Sequence, residues 1–183
     1  MNPLKILFLL LLLLLSSESK TMDLIGFNNN SVNTSTKWEL ITDKVMGGKS
    51  TGNLEFFFET FPFIRLEGSV STENNGGFIQ TRSAVNIEND DFSFIEINVR
   101  GNPGIYFIHI RTGMTILPWQ FYAGKFSVSE NWKRIIVKLS DFKKSNFYQP
   151  SRFSPSDIKS IAFVAYGRDF DARLDVKSAY LKK

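Results

Sequence analysis

The chain contains no cysteine. That absence removes a disulfide framework, a thiol nucleophile, a cysteine-ligated zinc and a lipidated cysteine anchor together. There is a single histidine, His109. No Gly-x-Ser-x-Gly turn accompanies it, so the histidine-based nucleophilic constellations lack their parts. No His/Asp/Glu cluster has the spacing of a transition-metal site. Glu88, Asp90 and Asp91 fall in one acidic turn, short of the six or more oxygens that calcium requires. The 22 Lys and Arg against 18 Asp and Glu leave a net charge of only +4. These charges are scattered, whereas a nucleic-acid surface gathers its cations on one face. No window keeps a helical period for three turns. The chain therefore implies no cofactor, no metal and no nucleic-acid partner.

What is present begins with a leader. Lys5 supplies a positive start, Ile6 to Leu15 is an unbroken apolar run, and Ser17-Glu18-Ser19 offers small residues where a signal peptidase reads. The run is about half of the roughly 20 residues that cross a bilayer. Residues 1–19 are expected to be a cleaved secretory signal, delivering a secreted or periplasmic/lumenal protein. The alternative is a membrane tether, the only membrane contact the sequence suggests. Residues 20–37, rich in Asn, Ser and Thr, read as a flexible linker. Residues 38–183 form one domain.

From Trp38 onward the hydrophobic period is two. Leu54, Phe56 and Phe58 alternate with Glu55 and Glu59; Ile95, Ile97 and Val99 with Glu96 and Asn98; Ile135, Val137 and Leu139 with Arg134 and Lys138. This is the mark of a half-buried strand. Ile105 to Ile110 and Ile161 to Tyr166 are apolar on both faces, and they predict central strands. Polar turns separate these runs, and a single short helical turn is expected at Ser156-Asp157-Ile158. About ten short strands predict an all-β, antiparallel β-sandwich or jelly roll. The 18 Phe suit the roughly 10 Å gap between two sheets.

The most distinctive segment is Trp38 to Ser50, in which Asp43, Val45, Met46, Gly47 and Gly48 lead to Ser50. Two glycines permit a positive φ or a close backbone approach. Gly48 is the expected positive-φ position, and Asp43 is expected to brace the turn. Gly48-Lys-Ser50-Thr imitates the end of a phosphate-binding loop. However, the required upstream glycine is Asp43, and a strand pattern follows in place of a helix.

These residues carry a family resemblance. The Trp38, Asp43 and Val45-Met46-Gly47-Gly48-Lys-Ser50 pattern comes first, followed by Gly76-Gly77-Phe78 and then Val99-Arg100-Gly101 with Tyr106 and Arg111-Thr112. Trp119-Gln-Phe-Tyr122 with Phe126, Trp132 with Asp141-Phe142, and Leu174-Asp-Val176 complete the set. In this order they resemble the complex I intermediate-associated protein family over about residues 38–181. The resemblance implies a galactose-binding-like jelly roll, shared by many carbohydrate-binding modules, that acts without catalysis as an assembly factor or chaperone.

Strand parity nominates a binding groove. Gln80 and Arg82 share a face, as do His109 and Arg111. Gln120 and Tyr122 share another, with Trp119 at its strand's start. Aromatic faces stack on sugar rings or peptide side chains, while Arg and Gln provide directional hydrogen bonds. The expected function is non-catalytic binding of a protein partner, with glycan binding on the same fold as the alternative. Glu55, Glu59, Glu67 and Glu96 alternate with core residues as solvated positions, which leaves a hydrolase no paired carboxylates.

Overall fold

The computed structural model describes residues 20–28, 31–32, 37–58 and 60–183. The leader expected over 1–19 lies outside these residues. The strands in chain order are β1 (Thr21–Asp23), β2 (Phe27–Asn28), β3 (Ser31–Val32), β4 (Glu39–Thr42), β5 (Thr51–Phe57), β6 (Phe63–Val70) and β7 (Phe78–Ala84). They continue with β8 (Phe94–Gly101), β9 (Gly104–Thr112), β10 (Tyr122–Val128), β11 (Lys133–Lys138), β12 (Lys143–Lys144), β13 (Ile158–Tyr166) and β14 (Phe170–Lys182).

They assemble into two six-stranded antiparallel sheets and one small hairpin, β2–β3. Sheet I has the order β11-β8-β14-β6-β5, with β1 added along β14. Sheet II has the order β12-β10-β9-β13-β7-β4. The two runs expected to be central strands, β9 and β13, lie side by side in the interior of sheet II.

Alternation decides what lies between the sheets. Ile64, Leu66, Ile95, Ile97, Val99, Leu174 and Val176 of sheet I meet Tyr106, Ile108, Ile110, Phe126, Ile161 and Phe163 of sheet II in one continuous core. Burying each such side chain stabilises the fold by about 1.5–3 kcal/mol. Trp38 joins this core, stacked on Phe163 with ring centroids 5.5 Å apart. The expected helical turn is a 3-10 turn at Pro155–Asp157.

The linker expected over 20–37 is corrected in its first part. Residues Thr21–Asp23 pair with Asp23↔Tyr180 to Thr21↔Lys182 register, and Leu24 and Ile25 are fully buried. The apolar pair Leu24-Ile25, set among polar residues, was the signal that a composition-based reading passes over.

Two of the family motifs meet on the outer face of sheet I. Asp175 is buried and accepts two hydrogen bonds from Arg65, at 2.7 and 2.9 Å, and one from Arg100 at 2.9 Å. The Asp175 hydrogen bond is the largest cause that raises the Arg65 guanidinium above its ordinary value. Arg100 in turn lies over the Trp132 ring, 4.7 Å from its centroid. Val99-Arg-Gly101 and Leu174-Asp-Val176 are therefore the two halves of one ion-paired cross-strand site.

Candidate binding face and loops

The Met-Gly-Gly loop is built around Asp43, which is fully buried. Its carboxylate accepts from the Ser50 amide (2.9 Å), the Ser50 hydroxyl (2.5 Å), and the Gly77 and Phe78 amides (2.5 and 3.3 Å). Burial alone would raise its pKa, but these donors outweigh burial and hold it below the ordinary carboxylate value. Asp43 thus braces two neighbouring loops, where a local turn was expected. Gly47, and not Gly48, takes the left-handed conformation, with φ 86°. Gly48 is required for space: a Cβ there would lie 2.3 Å from Asp43 Cγ. Gly76 faces the same carboxylate, with a Cβ 2.4 Å from Oδ2. Val45 and Met46 are exposed at the loop's tip, while Ser50 is buried.

Sheet II has a second, outward face, and register defines it. Ala123 and Ala162 flank His109, Val164 lies beside Phe107, Gln80 beside Val164, and Arg82 beside Ala162. Gln80, Arg82, His109 and Arg111 therefore share one face, as parity predicts. The structure adds Phe107, Phe121 and Tyr166, which sequence reasoning did not select. Phe107 was legible from its parity with His109. Phe121 was hidden because the neighbouring Gln120 and Tyr122 drew the assignment to the opposite parity.

That assignment is corrected. Tyr122 is buried in the core, its ring 4.7 Å from Phe153 and its hydroxyl donating to the Pro150 carbonyl at 3.0 Å. It points inward with Gly124 and Phe126, so its parity is that of the sandwich interior. Gln120 is also buried, and its Oε1 accepts from the Leu117 amide at 3.0 Å, closing the 117–120 turn. Trp119 is half-exposed on that turn.

His109 sits at the centre of the face and is itself buried. Its ring stacks on Phe121 at 3.9 Å and 12°, and meets Tyr166 edge-on at 5.6 Å and 70°. Burial pushes its pKa down to about 3, so the imidazole is neutral at physiological pH. Its Nε2 is buried with no hydrogen-bond partner among the described residues. Arg111 is partly committed, donating to the Thr115 and Leu117 carbonyls at 2.9 and 3.1 Å. Burial, and then the like charge of Arg82, lower its pKa. Among the described residues no hydrogen bond or ion pair engages the side chains of Gln80 or Arg82. The face thus combines packed aromatic rings with uncommitted donors.

The outer face of sheet I carries an open hollow of about 530 Å³ lined by Asn53, Glu67, Asn102, Asp171 and Arg173 among others. No aromatic ring floors it. Among the described residues no group of three or more His, Asp or Glu side chains is placed to hold a metal ion.

The sequence matches the family model described as Complex I intermediate-associated protein 30 over residues 25–176. No curated protein matches the chain. Among solved structures, the fold is similar to the family 11 carbohydrate-binding module of the cellulosomal cellulase Lic26A-Cel5E of Clostridium thermocellum. The identity is 15%, the TM-score 0.66, and the coverage 91% of this chain and 95% of that one. The Clostridium thermocellum family 11 module in complex with a beta-1,3-1,4-mixed-linked tetrasaccharide is similar at 13% identity, TM-score 0.65 and 91% and 96% coverage. A family 29 carbohydrate-binding module complexed with cellulohexaose follows at 9% identity, TM-score 0.56 and 91% and 93% coverage. At these identities the likeness shows the fold, a β-sandwich of the carbohydrate-binding-module type.

Proposed function

The chain belongs to the complex I intermediate-associated protein 30 family, and on that premise we propose that it is a non-catalytic, polypeptide-binding assembly factor or chaperone working through the outer face of sheet II. The observation that carries this reading is the juxtaposition of Phe107, Phe121 and Tyr166 with the uncommitted Gln80 and Arg82. The rings pack against one another edge-on, Phe107 to Tyr166 at 87° and Phe121 to Tyr166 at 77°. Such packing supplies hydrophobic contact area but no flat row on which successive sugar rings could lie. Sugar hydroxyls also need acceptors, and apart from Glu39 at the β4 edge beside Arg82 this face offers cations and a single amide. Aliphatic and acidic side chains of a polypeptide meet it better. With a secretory leader at residues 1–19, that partner would sit beyond a membrane, in an extracellular, periplasmic or lumenal space.

Glycan binding is the second reading, favoured by the fold's likeness to modules solved with oligosaccharides. One experiment separates the two. Tagged wild-type protein and an Arg82→Glu/Tyr166→Ala variant are used to capture partners from host membranes under crosslinking, in parallel with titration of mixed-linked β-glucan. The proposal expects a protein partner whose recovery falls at least about tenfold in the variant, a loss typical of central interface residues. Saturable glucan binding that the same variant abolishes, without a protein partner, would overturn it.

A further inference from the structure

Two loops at one end of the sandwich expose an unusual set of side chains. The β9–β10 loop presents Met114, Ile116, Leu117 and Trp119, and the β12–β13 loop presents Phe147 and Tyr148. Ile116 is 81% exposed, Phe147 85% and Tyr148 87%. Apolar side chains this exposed are costly in water unless something covers them in use.

The loops are held together. The Ser145 amide donates to the Phe121 carbonyl at 2.9 Å, and the Ser145 hydroxyl to the Trp119 carbonyl at 3.0 Å. Buried Gln149 donates to the Phe121 carbonyl at 3.1 Å. Lys144 Nζ closes the second loop on the Phe147 and Gln149 carbonyls, at 3.0 and 2.9 Å. The apolar tips therefore project from a hydrogen-bonded base, and their exposure is built in.

Charge indicates what covers them. From Arg111 to Ser129 and from Phe142 to Ser156 there is no acidic residue, while Lys143, Lys144 and Arg152 fall in the second stretch. Bordering Asp90 and Asp157 are engaged by the Ser156 and Ser154 amides, at 2.9 and 3.0 Å, and Asp141 lies beyond the second loop. Protruding aliphatic and aromatic tips, with Trp and Tyr among them and cations behind, match the layered chemistry of an anionic bilayer surface. A protruding tip also offers no groove to a folded partner, whereas lipid accommodates it without shape complementarity.

We infer that this end of the sandwich docks on anionic bilayers, with Ile116, Phe147 and Tyr148 entering the headgroup region and the flanking cations meeting lipid phosphates. The inference is independent of the partner-binding face of sheet II.

The protein expected after leader removal, residues 20–183, holds the described strands of both sheets and their shared core. It is sedimented with phosphatidylcholine vesicles, with or without about 30% phosphatidylserine. Binding is expected only with phosphatidylserine, weakening as salt rises from about 50 to about 500 mM. Phe147→Ser/Tyr148→Ser leaves the charge unchanged and should reduce binding at least about tenfold. Trp119 emission should shift to the blue on binding, and Trp119→Phe should remove that shift. Absence of binding, equal binding to neutral vesicles, or binding indifferent to the Phe147/Tyr148 pair would each overturn the inference. In the last case the attraction would be bulk charge alone.

Discussion

Replacing His109 by phenylalanine should flatten the dependence of stability on pH between 7.5 and 5. His109 is the chain's single histidine, so among side chains it alone is expected to titrate in this window. In the folded protein burial pushes its pKa from 6.5 to about 3. Below 6.5 the unfolded chain takes up a proton that the folded one refuses until near 3. The contribution of the neutral buried ring is therefore complete above 6.5 and is lost as pH falls toward 3.

The slope is about 1.4 kcal/mol per pH unit, and the span from 6.5 to 5 lies wholly above the folded value, which makes the loss about 2 kcal/mol. For a domain of this size that corresponds to roughly 4–8 °C in Tm. His109→Phe keeps a flat ring against Phe121 and removes the unpartnered Nε2. Urea denaturation at pH 7.5 and 5.0, with the slope checked for constancy, measures the difference directly. Wild type should lose about 2 kcal/mol and the variant little. Parallel losses in the two proteins would show that the imidazole protonates freely while folded, and its burial against Phe121 and Tyr166 would be refuted.

Gly48→Ala should destabilise by about 2–4 kcal/mol, because the new carbon displaces Asp43 and its hydrogen bonds. Gly47→Ala, with only left-handed strain to bear, should cost about 1–2 kcal/mol; urea midpoints that reverse this order would refute the space argument. Tyr122→Ala should cost about 3–5 kcal/mol as a core truncation, and a thermal midpoint close to wild type would put the ring back on the surface. Asp175→Asn should cost about 3 kcal/mol, the lower end for breaking a buried ion pair, since Arg65 and Arg100 retain some access to water. An unchanged midpoint would mean that the pairing is ornamental.

The fold was legible because alternation reports burial directly. Ile95, Ile97 and Val99 turn inward as their spacing requires, and the doubly apolar runs of β9 and β13 occupy the covered interior of sheet II. Residues 20–24 were not legible, because their place is set by pairing with the far end of the chain. Three residues of β1 acquire strand geometry from β14, and nothing local in Thr21-Met-Asp23 encodes it.

The site was legible only to the extent that parity could be anchored. Within β9, apolar on both faces, the two polar residues His109 and Arg111 share one parity, so they went to one face together. At the start of β10 two aromatic residues stand side by side, and either Phe121 or Tyr122 could turn inward on pattern alone. The choice is made from outside the strand: Phe153 packs on Tyr122 and Pro150 accepts its hydroxyl, while His109 receives Phe121 as a stacking partner. The same reasoning separates the two glycines. A Gly-Gly pair announces a special backbone, but Gly48 is needed because Asp43 reaches toward Ser50 and Gly77, a contact that spans 34 residues. Local sequence marks where a constraint exists; the partner that imposes it lies elsewhere in the chain.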